Sequence, residues 1–212
     1  TENIKLRKAS LDTHQNALEK LKELLSLDQL PNRIEVYDNS HTFGKQAVGV
    51  MIVVDQEGFS SKNYRKFNIR YDEEFQSKSK IDDYYMMKEV LSRRLRKINK
   101  NSNSILPDVI ILDGGKGHLN IANEVILENN LASISLMSVS KGKKRNAGRE
   151  IIHILDSDII LKPNDPLLFF IQRIRDEAHR FAITTHRHQR KKNAIKSLFH
   201  EISGIGPKRK KY

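Results

Sequence analysis

A short apolar segment, PDVIILD at residues 107–113, ends on a carboxylate and is followed at once by two glycines. Pro and Gly bound this run, which is the length of one strand and too short for a typical helix. A continuous apolar strand is typical of a parallel strand that is covered on both faces. Burying Asp113 at its end is costly unless a cation or hydrogen bonds satisfy the charge, so we expect this residue to serve a function.

The segments around this strand alternate between strand and helix patterns. The predicted helices are 9–30, 82–98, 118–130 and a long one from Asp165. The predicted strands are 33–38, 46–55, 63–70, 107–113, 133–140 and 149–155. The first three strands are joined by loops short enough for antiparallel hairpins, and later strands alternate with helices. This order predicts an α/β fold with a mixed sheet flanked by helices, and a ribonuclease H-like arrangement is the first candidate.

Positive charge is concentrated toward the C-terminus. The chain carries a formal net charge of +12, and residues 173–212 hold twelve Lys and Arg against three Asp and Glu, a net charge of +9. Clustered cations release counterions from phosphates, so a polyanion partner is the leading explanation. A solvated basic face or a disordered tail is the alternative for such a run.

Several classes of protein are excluded or disfavoured by composition. The absence of cysteine excludes disulfides, cysteine zinc sites and thiol nucleophiles. No apolar run reaches the roughly 18 residues that a membrane span needs, and the sequence begins without a signal-peptide pattern, so we expect a soluble, cytoplasmic protein with no membrane partner. The loop GGKGH lacks the spacing of a phosphate-binding P-loop, which disfavours nucleotide hydrolysis.

Two acids and one histidine form the candidate chemical site. Asp38 closes the predicted strand RIEVYD, as Asp113 closes its own strand. Carboxylates from neighbouring strand ends can hold a divalent cation, since hard cations prefer oxygen ligands. His179, at the edge of the apolar stripe of the last helix, would be a third ligand or a general base. Taken singly, either acid could instead cap a turn, and His179 could be a hydrogen-bonded histidine at the edge of the core.

Basic residues near these positions are candidate contacts to a phosphate backbone. Lys116 lies in the glycine loop after residue 113, where the backbone can approach a phosphate closely. The other candidates lie on the last helix: Arg175, Arg180, His186 and Arg190. Arg175, His186 and Arg190 share a narrow arc of its surface with His179. Surface solvation is an equally good explanation for His186.

Five motifs together resemble the C-terminal half of the UvrC subunit of the bacterial UvrABC excision nuclease. They are VYDNSHTFG, DDYYMM, PDVIILDGGKGHL, SVSKGKKRNAGREII and QRIRDEAHRFAITTHRHQR. The resemblance implies a leading helix or linker at 1–31, a ribonuclease H-like endonuclease domain at 32–193, and the start of a helix-hairpin-helix module at 194–212. It also implies that the family's N-terminal nuclease domain and most of the segment that contacts UvrB are missing, as in a fragment.

The same resemblance implies a function and its residues. The family makes the 5′ incision beside a DNA lesion in nucleotide excision repair, and its catalytic triad falls on Asp38, Asp113 and His179, with a further acid at Asp83. The implied cofactor is Mg²⁺ or Mn²⁺, and the implied partners are damaged double-stranded DNA and the UvrB–DNA complex. Further implied DNA contacts lie in the hairpin sequence ISGIGPKRKK: Gly204, Gly206 and Lys208.

A catalytically silent nucleic-acid-binding module is the alternative function. In such a module the acids would only cap turns, and nothing would require the three candidate residues to converge. In an enzyme they must meet within a few ångströms.

Overall fold

The computed structural model describes residues 2–42, 46–69, 83–100, 104–142 and 150–201, with side chains described for 9–39, 47–69, 83–100, 104–142 and 150–188. The helices are α1 (Glu2–Leu24), α2 (Asp83–Lys100), α3 (Lys116–Glu128) and α4 (Pro166–Glu201). The strands are β1 (Ile34–Thr42), β2 (Gln46–Asp55), β3 (Gly58–Phe59), β4 (Arg65–Asn68), β5 (Val109–Asp113), β6 (Ser135–Lys141), β7 (Glu150–Ile154) and β8 (Ser157–Ile160).

Within the described ranges the strands form one mixed sheet of the order β3-β2-β1-β5-β6-β7-β8, with β4 also paired to β2. The centre is parallel, because β5 pairs in parallel with β1 on one side and β6 on the other. Antiparallel strands extend the sheet on both sides of this centre. The predicted mixed sheet and the predicted parallel central strand are therefore confirmed.

Helices cover both faces of the sheet, as alternating side chains of the strands require. In β5, Ile110 and Leu112 pack with α2 and α3 on one face. Val109 and Ile111 point the other way and pack with α1 and α4. This arrangement explains the continuous apolar sequence of β5, since both of its faces are buried.

A buried ionic cluster joins α2 to the sheet. Glu35, whose side chain is inaccessible to solvent, accepts hydrogen bonds from the guanidinium groups of Arg33 and Arg94 and from the hydroxyl of Tyr37. Arg94 also donates to the carbonyl of Ile105. A buried carboxylate needs such partners, because an unpaired charge in this position would be strongly destabilising.

The structure differs from the sequence prediction at several element ends. Helix α1 begins at Glu2 instead of residue 9, and strand β8 was not predicted. The proposed domain divisions stay predictions. Side chains of α1 share a core with α4, and α4 continues without a break past the predicted boundary at 193. Among the described residues, no helix combines the length and hydropathy that a membrane span requires.

Candidate active site

Asp38 and Asp113 lie side by side at the carboxyl end of the parallel centre of the sheet. The parallel ladder between β1 and β5 ends with the pair Tyr37 and Leu112, and the two acids follow directly. Strand alternation turns both acids away from the α2 and α3 face, where Tyr37 and Leu112 pack. Both acids therefore belong to the face that α4 covers.

The prediction that Asp38 closes its strand is wrong. Strand β1 continues to Thr42, because β2 still pairs with it beyond residue 38, as far as Thr42 and Gln46. Only the pairing with β5 stops before Asp38. The acid therefore sits where β1 leaves its parallel neighbour, which gives it a rigid backbone and an open side.

The environment of Asp38 disfavours its charge. Its side chain is buried, with 7% of the residue exposed. Burial and, next, the neighbouring Asp113 carboxylate raise the pKa of Asp38 from 3.8 to about 6, although His179 and Arg175 lower it in part. Among the described residues no hydrogen bond satisfies its buried Oδ2 atom. A buried carboxylate oxygen without a hydrogen-bond donor is energetically unfavourable when it is charged, and a bound cation would offset this penalty.

Asp113 is held by an arginine of α4. The Nη2 and Nε atoms of Arg175 donate to Oδ1 of Asp113 over 2.8 and 3.2 Å. The Nη1 atom lies 3.8 Å from Oε1 of Glu150 at the start of β7. Arg175 is buried, so the predicted phosphate contact of this side chain stays a prediction, while the structure directs the guanidinium toward two carboxylates.

His179 lies one helical turn after Arg175, at the solvent border of the site. Its Nδ1 atom is 3.5 Å from Oδ2 of Asp38, and 65% of its side chain is exposed. This position lets the imidazole face Asp38 on one side and bulk solvent on the other. The structure therefore brings the three candidate residues together. Both Asp113 and His179 act electrostatically on Asp38.

The donor set of this site suits a hard divalent cation. No group of three or more His, Asp or Glu side chains is positioned to share a metal ion in the described part of the chain. Two carboxylates with one unsatisfied buried oxygen are, however, the ligands that Mg²⁺ and Mn²⁺ prefer. On this chemistry the residues fit a divalent cation at Asp38 and Asp113.

Asp83 is the first residue of α2 and is exposed. Its neighbour Tyr84 packs on the ring of His118, with ring centroids 4.8 Å apart. A side chain at Gly114 would also touch His118, only 2.5 Å from its Nδ1 atom. The start of α2 therefore lies against the loop that follows Asp113, which puts Asp83 near the predicted site.

Lys116 is tied to the outer strands by a hydrogen-bonded chain. Its Nζ atom lies 3.0 Å from Oδ2 of Asp158 on β8. Oδ1 of Asp158 is 2.7 Å from Nδ1 of His153, whose Nε2 is 2.8 Å from the hydroxyl of Ser140. The pKa of Asp158 is lowered by these hydrogen bonds, first that from His153 and then that from Lys116. Lys116 is 61% exposed and so remains accessible to a phosphate.

The remaining predicted DNA contacts have different positions. Arg180 is exposed and pairs with Glu177 over 2.7 Å, and His186 is buried, with 5% of the residue exposed. The side chain of Arg190 and the hairpin positions lie outside the described residues: Gly204, Gly206 and Lys208.

Sequence reasoning did not identify Glu150 or Asp158 as neighbours of the site. The signal for Glu150 was weak, since it is only an acid near the start of a predicted strand. Asp158 lies on β8, which was not predicted. The sequence shows that Arg175 is basic. Predicting its pairing with Asp113 requires knowledge of how α4 is placed on the sheet.

This chain is similar in sequence to known bacterial proteins. The UvrABC system protein C of Zymomonas mobilis is 46% identical over 215 residues, which cover 99% of this chain and 32% of that protein. The corresponding protein of Nitrobacter winogradskyi is also 46% identical, over 96% of this chain and 31% of its own length. The chain thus spans about a third of the length of the curated relatives it matches.

Solved structures resemble the fold more remotely. Endonuclease V of Ciona intestinalis, solved with a 23mer DNA containing an inosine followed by a ribo-adenosine, covers 67% of this chain at 14% identity and a TM-score of 0.39. The catalytic domain of human endonuclease V covers 67% at 13% identity and a TM-score of 0.38.

A family model settles the relationship. The model of the UvrC RNase H endonuclease domain matches residues 22–183, a range that contains β1, β5 and the part of α4 that carries His179. With this match and relatives that are 46% identical over nearly all of its length, the chain belongs to the UvrC RNase H endonuclease domain family.

Proposed function

We propose that this chain is a metal-dependent DNA endonuclease domain that makes the 5′ incision beside a lesion in nucleotide excision repair. Its substrate is damaged double-stranded DNA, presented in the complex with UvrB in the bacterial cytoplasm. Membership of the family and the chemistry of the sheet edge support this proposal, and one observation carries it.

That observation is the buried, unsatisfied Oδ2 atom of Asp38 beside the carboxylate of Asp113. A purely structural acid would be satisfied by backbone or side-chain donors, as Asp108 is at the other end of β5, where it accepts from the amides of Asn32 and Arg33. A buried carboxylate whose pKa is raised by burial and by a neighbouring carboxylate is instead typical of sites that bind a cation.

Asp38 and Asp113 would hold Mg²⁺ or Mn²⁺, with His179 as a third ligand or as a general base. A divalent cation supplies Lewis acidity and charge neutralisation for hydrolysis of a phosphodiester. His179 would hold or move a proton at Nδ1, the atom that faces Asp38. Asp83, at the start of α2, would complete a second metal position or orient water near the loop after Asp113.

Cationic side chains around the site would hold the DNA backbone. Lys116 and Arg180 are exposed enough to reach phosphates, and each is balanced by one acid in the absence of DNA. When DNA binds, a phosphate would replace Asp158 as the partner of Lys116. A phosphate would likewise replace Glu177 as the partner of Arg180, so both cations would stay paired. Arg190 and the hairpin residues Gly204, Gly206 and Lys208 are proposed as further contacts.

The test replaces one carboxylate without changing its size. Asp113→Asn removes the charge that would hold a cation, and so does Asp38→Asn. Either variant should abolish the 5′ incision while DNA binding stays intact or tightens, because a negative charge near the phosphates has gone. Incision is measured on lesion-containing DNA with UvrB, with the substitutions placed in a full-length protein.

Asp108→Asn is the matched control, since Asp108 lies just before the first residue of β5 and Asp113 is its last residue. Loss of its hydrogen bonds to the backbone should lower stability by about 1 kcal/mol and leave incision per folded molecule unchanged. A folded Asp113→Asn variant that cuts at the parental rate would refute the assignment. It would favour the alternative of a catalytically silent DNA-binding module.

A further inference from the structure

The guanidinium of Arg175 is held from both sides. On one side it gives two hydrogen bonds to the same oxygen, Oδ1 of Asp113. On the other side its Nη1 atom faces Oε1 of Glu150, and the Oε2 atom of Glu150 accepts a hydrogen bond from Gln172 over 3.1 Å. With 8% of the residue exposed, Arg175 has little freedom to leave this position.

This pairing fixes the orientation of the Asp113 carboxylate. The Nε and Nη2 atoms hold Oδ1 in the fork of the guanidinium, which restricts the position of the carboxylate more than a single donor would. Because both donors use Oδ1, the pairing leaves Oδ2 for another partner. Ligands that are held in place by such outer contacts bind metal ions more tightly than ligands that must first be ordered.

We propose that Arg175, anchored by Glu150, is a positioning residue that fixes Asp113 so that its second oxygen meets a divalent cation beside Asp38. This inference rests on the proposed function and extends it, since it gives α4 a role in metal affinity that is separate from contact with DNA. It also assigns a function to Glu150, a buried acid that touches neither of the two proposed ligands.

A competing effect has the opposite sign. The positive charge of Arg175 repels a cation at Asp113, so removal of the charge alone would tighten metal binding. If Arg175 instead positions Asp113, removal of the Arg175 side chain weakens metal binding. The direction of the change therefore decides between the two effects without reference to cutting.

The experiment measures Mn²⁺ affinity by isothermal titration calorimetry on the 212-residue chain. Arg175→Gln should weaken binding about 10- to 100-fold, the usual cost of losing a contact that orients a metal ligand. Arg175→Lys keeps the charge but lacks the fork, and it should not restore the affinity. Arg173→Gln, which removes an exposed cation from the same helix, is the control and should bind Mn²⁺ like the parent.

Glu150→Gln provides a second variant that keeps both Asp113 and Arg175. It removes the anchor behind the guanidinium, and it should weaken Mn²⁺ binding less than Arg175→Gln does. If Arg175→Gln does not fold, as judged by circular dichroism, the Mn²⁺ affinity of Glu150→Gln tests the inference. Unchanged or tighter binding in a folded Arg175→Gln or Glu150→Gln variant, or full affinity in Arg175→Lys, would overturn the inference.

Asp38→Asn separates this inference from the proposed function. If Asp38→Asn loses Mn²⁺ binding while Arg175→Gln keeps the parental affinity, the inference fails and the proposed metal site stands. If the parent binds Mn²⁺ no better than Asp38→Asn does, both are wrong.

Discussion

Asp38 is placed where its ionised form is costly to the folded protein. Its pKa is raised to about 6, mainly by burial and then by Asp113. The folded state therefore binds a proton more tightly than the unfolded chain does. It follows that Asp38 contributes stability that is complete below pH 3.8 and is lost as the pH rises to about 6.

Asp38→Asn should therefore stabilise the protein at high pH in the absence of divalent cations. The variant lacks the charge, so at pH 8 its free energy of unfolding should exceed that of the parent by up to about 3 kcal/mol. Below about pH 3 the two proteins should have equal stability, because Asp38 is then protonated in both states. Urea unfolding in chelator at several pH values measures the difference.

The control for this prediction is Asp156→Asn, an exposed acid in the turn before β8. It should leave stability within about 0.5 kcal/mol at every pH. A less stable Asp38→Asn protein at pH 8 would mean that the carboxylate has stabilising partners beyond His179 and Arg175.

For individual residues, the sequence predicts which residue types have a function better than it predicts which side chains they pair with. The convergence of Asp38, Asp113 and His179 could be predicted, because acids after apolar runs and a histidine beside an apolar stripe are visible in the sequence. The pairing of Arg175 with Asp113 could not, since it depends on how α4 lies across the sheet. Burial of His186 was missed for the same reason.

Helix α2 is fixed to β1 by an ion pair as well as by apolar packing. Arg94 is buried on the face that meets the sheet, where it reaches the fully buried Glu35. Removal of one partner would leave the other charge without its main counterion inside the protein. The position of α2 matters to the site because its first turn contacts the loop after Asp113 through Tyr84 and His118.

Arg94→Leu should therefore lower the free energy of unfolding by about 3 to 5 kcal/mol. Adding Glu35→Gln to this variant should recover part of the loss, since it removes a buried carboxylate that would otherwise keep only Arg33 as its cationic partner. Arg96→Leu, at an exposed position of the same helix, should change stability by less than about 0.5 kcal/mol. Denaturant unfolding of the four proteins is the measurement, and an Arg94→Leu variant as stable as Arg96→Leu would contradict the prediction.

The long periodic elements were predicted well, and the short or partner-dependent ones were not. Helices α2, α3 and α4 and strands β2 and β5 have strong apolar patterns. Strand β8 has four residues and an exposed pattern, so it depends on pairing with β7 rather than on its own burial. The extension of β1 past Asp38 depends likewise on the partner strand β2, which no local pattern of β1 reveals.

The net charge of the whole molecule should govern how it binds DNA. If basic side chains of the C-terminal region contact phosphates, the logarithm of the binding constant should fall linearly with the logarithm of salt concentration, by about 0.9 per phosphate neutralised. Replacing Lys191 and Lys192 with Gln should lower the slope by up to about 2 units. Replacing Lys62 and Lys66, which are exposed near the β2–β4 hairpin, should leave it unchanged.

Fluorescence anisotropy with a labelled duplex at several salt concentrations measures this slope. Equal slopes for the two double variants would place the phosphate contacts elsewhere on the protein.

Helix α4 is continuous over 36 residues. Its first half packs on the sheet as far as His186, and the rest extends for about 22 Å, given a rise of 1.5 Å per residue. His179 lies about two turns before His186 on the same continuous helix. A sideways shift of the far end by about 2 Å about His186 would tilt the helix axis by about 5°, so we expect binding of a phosphate backbone at the basic end to change the tilt of the turn that carries the imidazole facing Asp38.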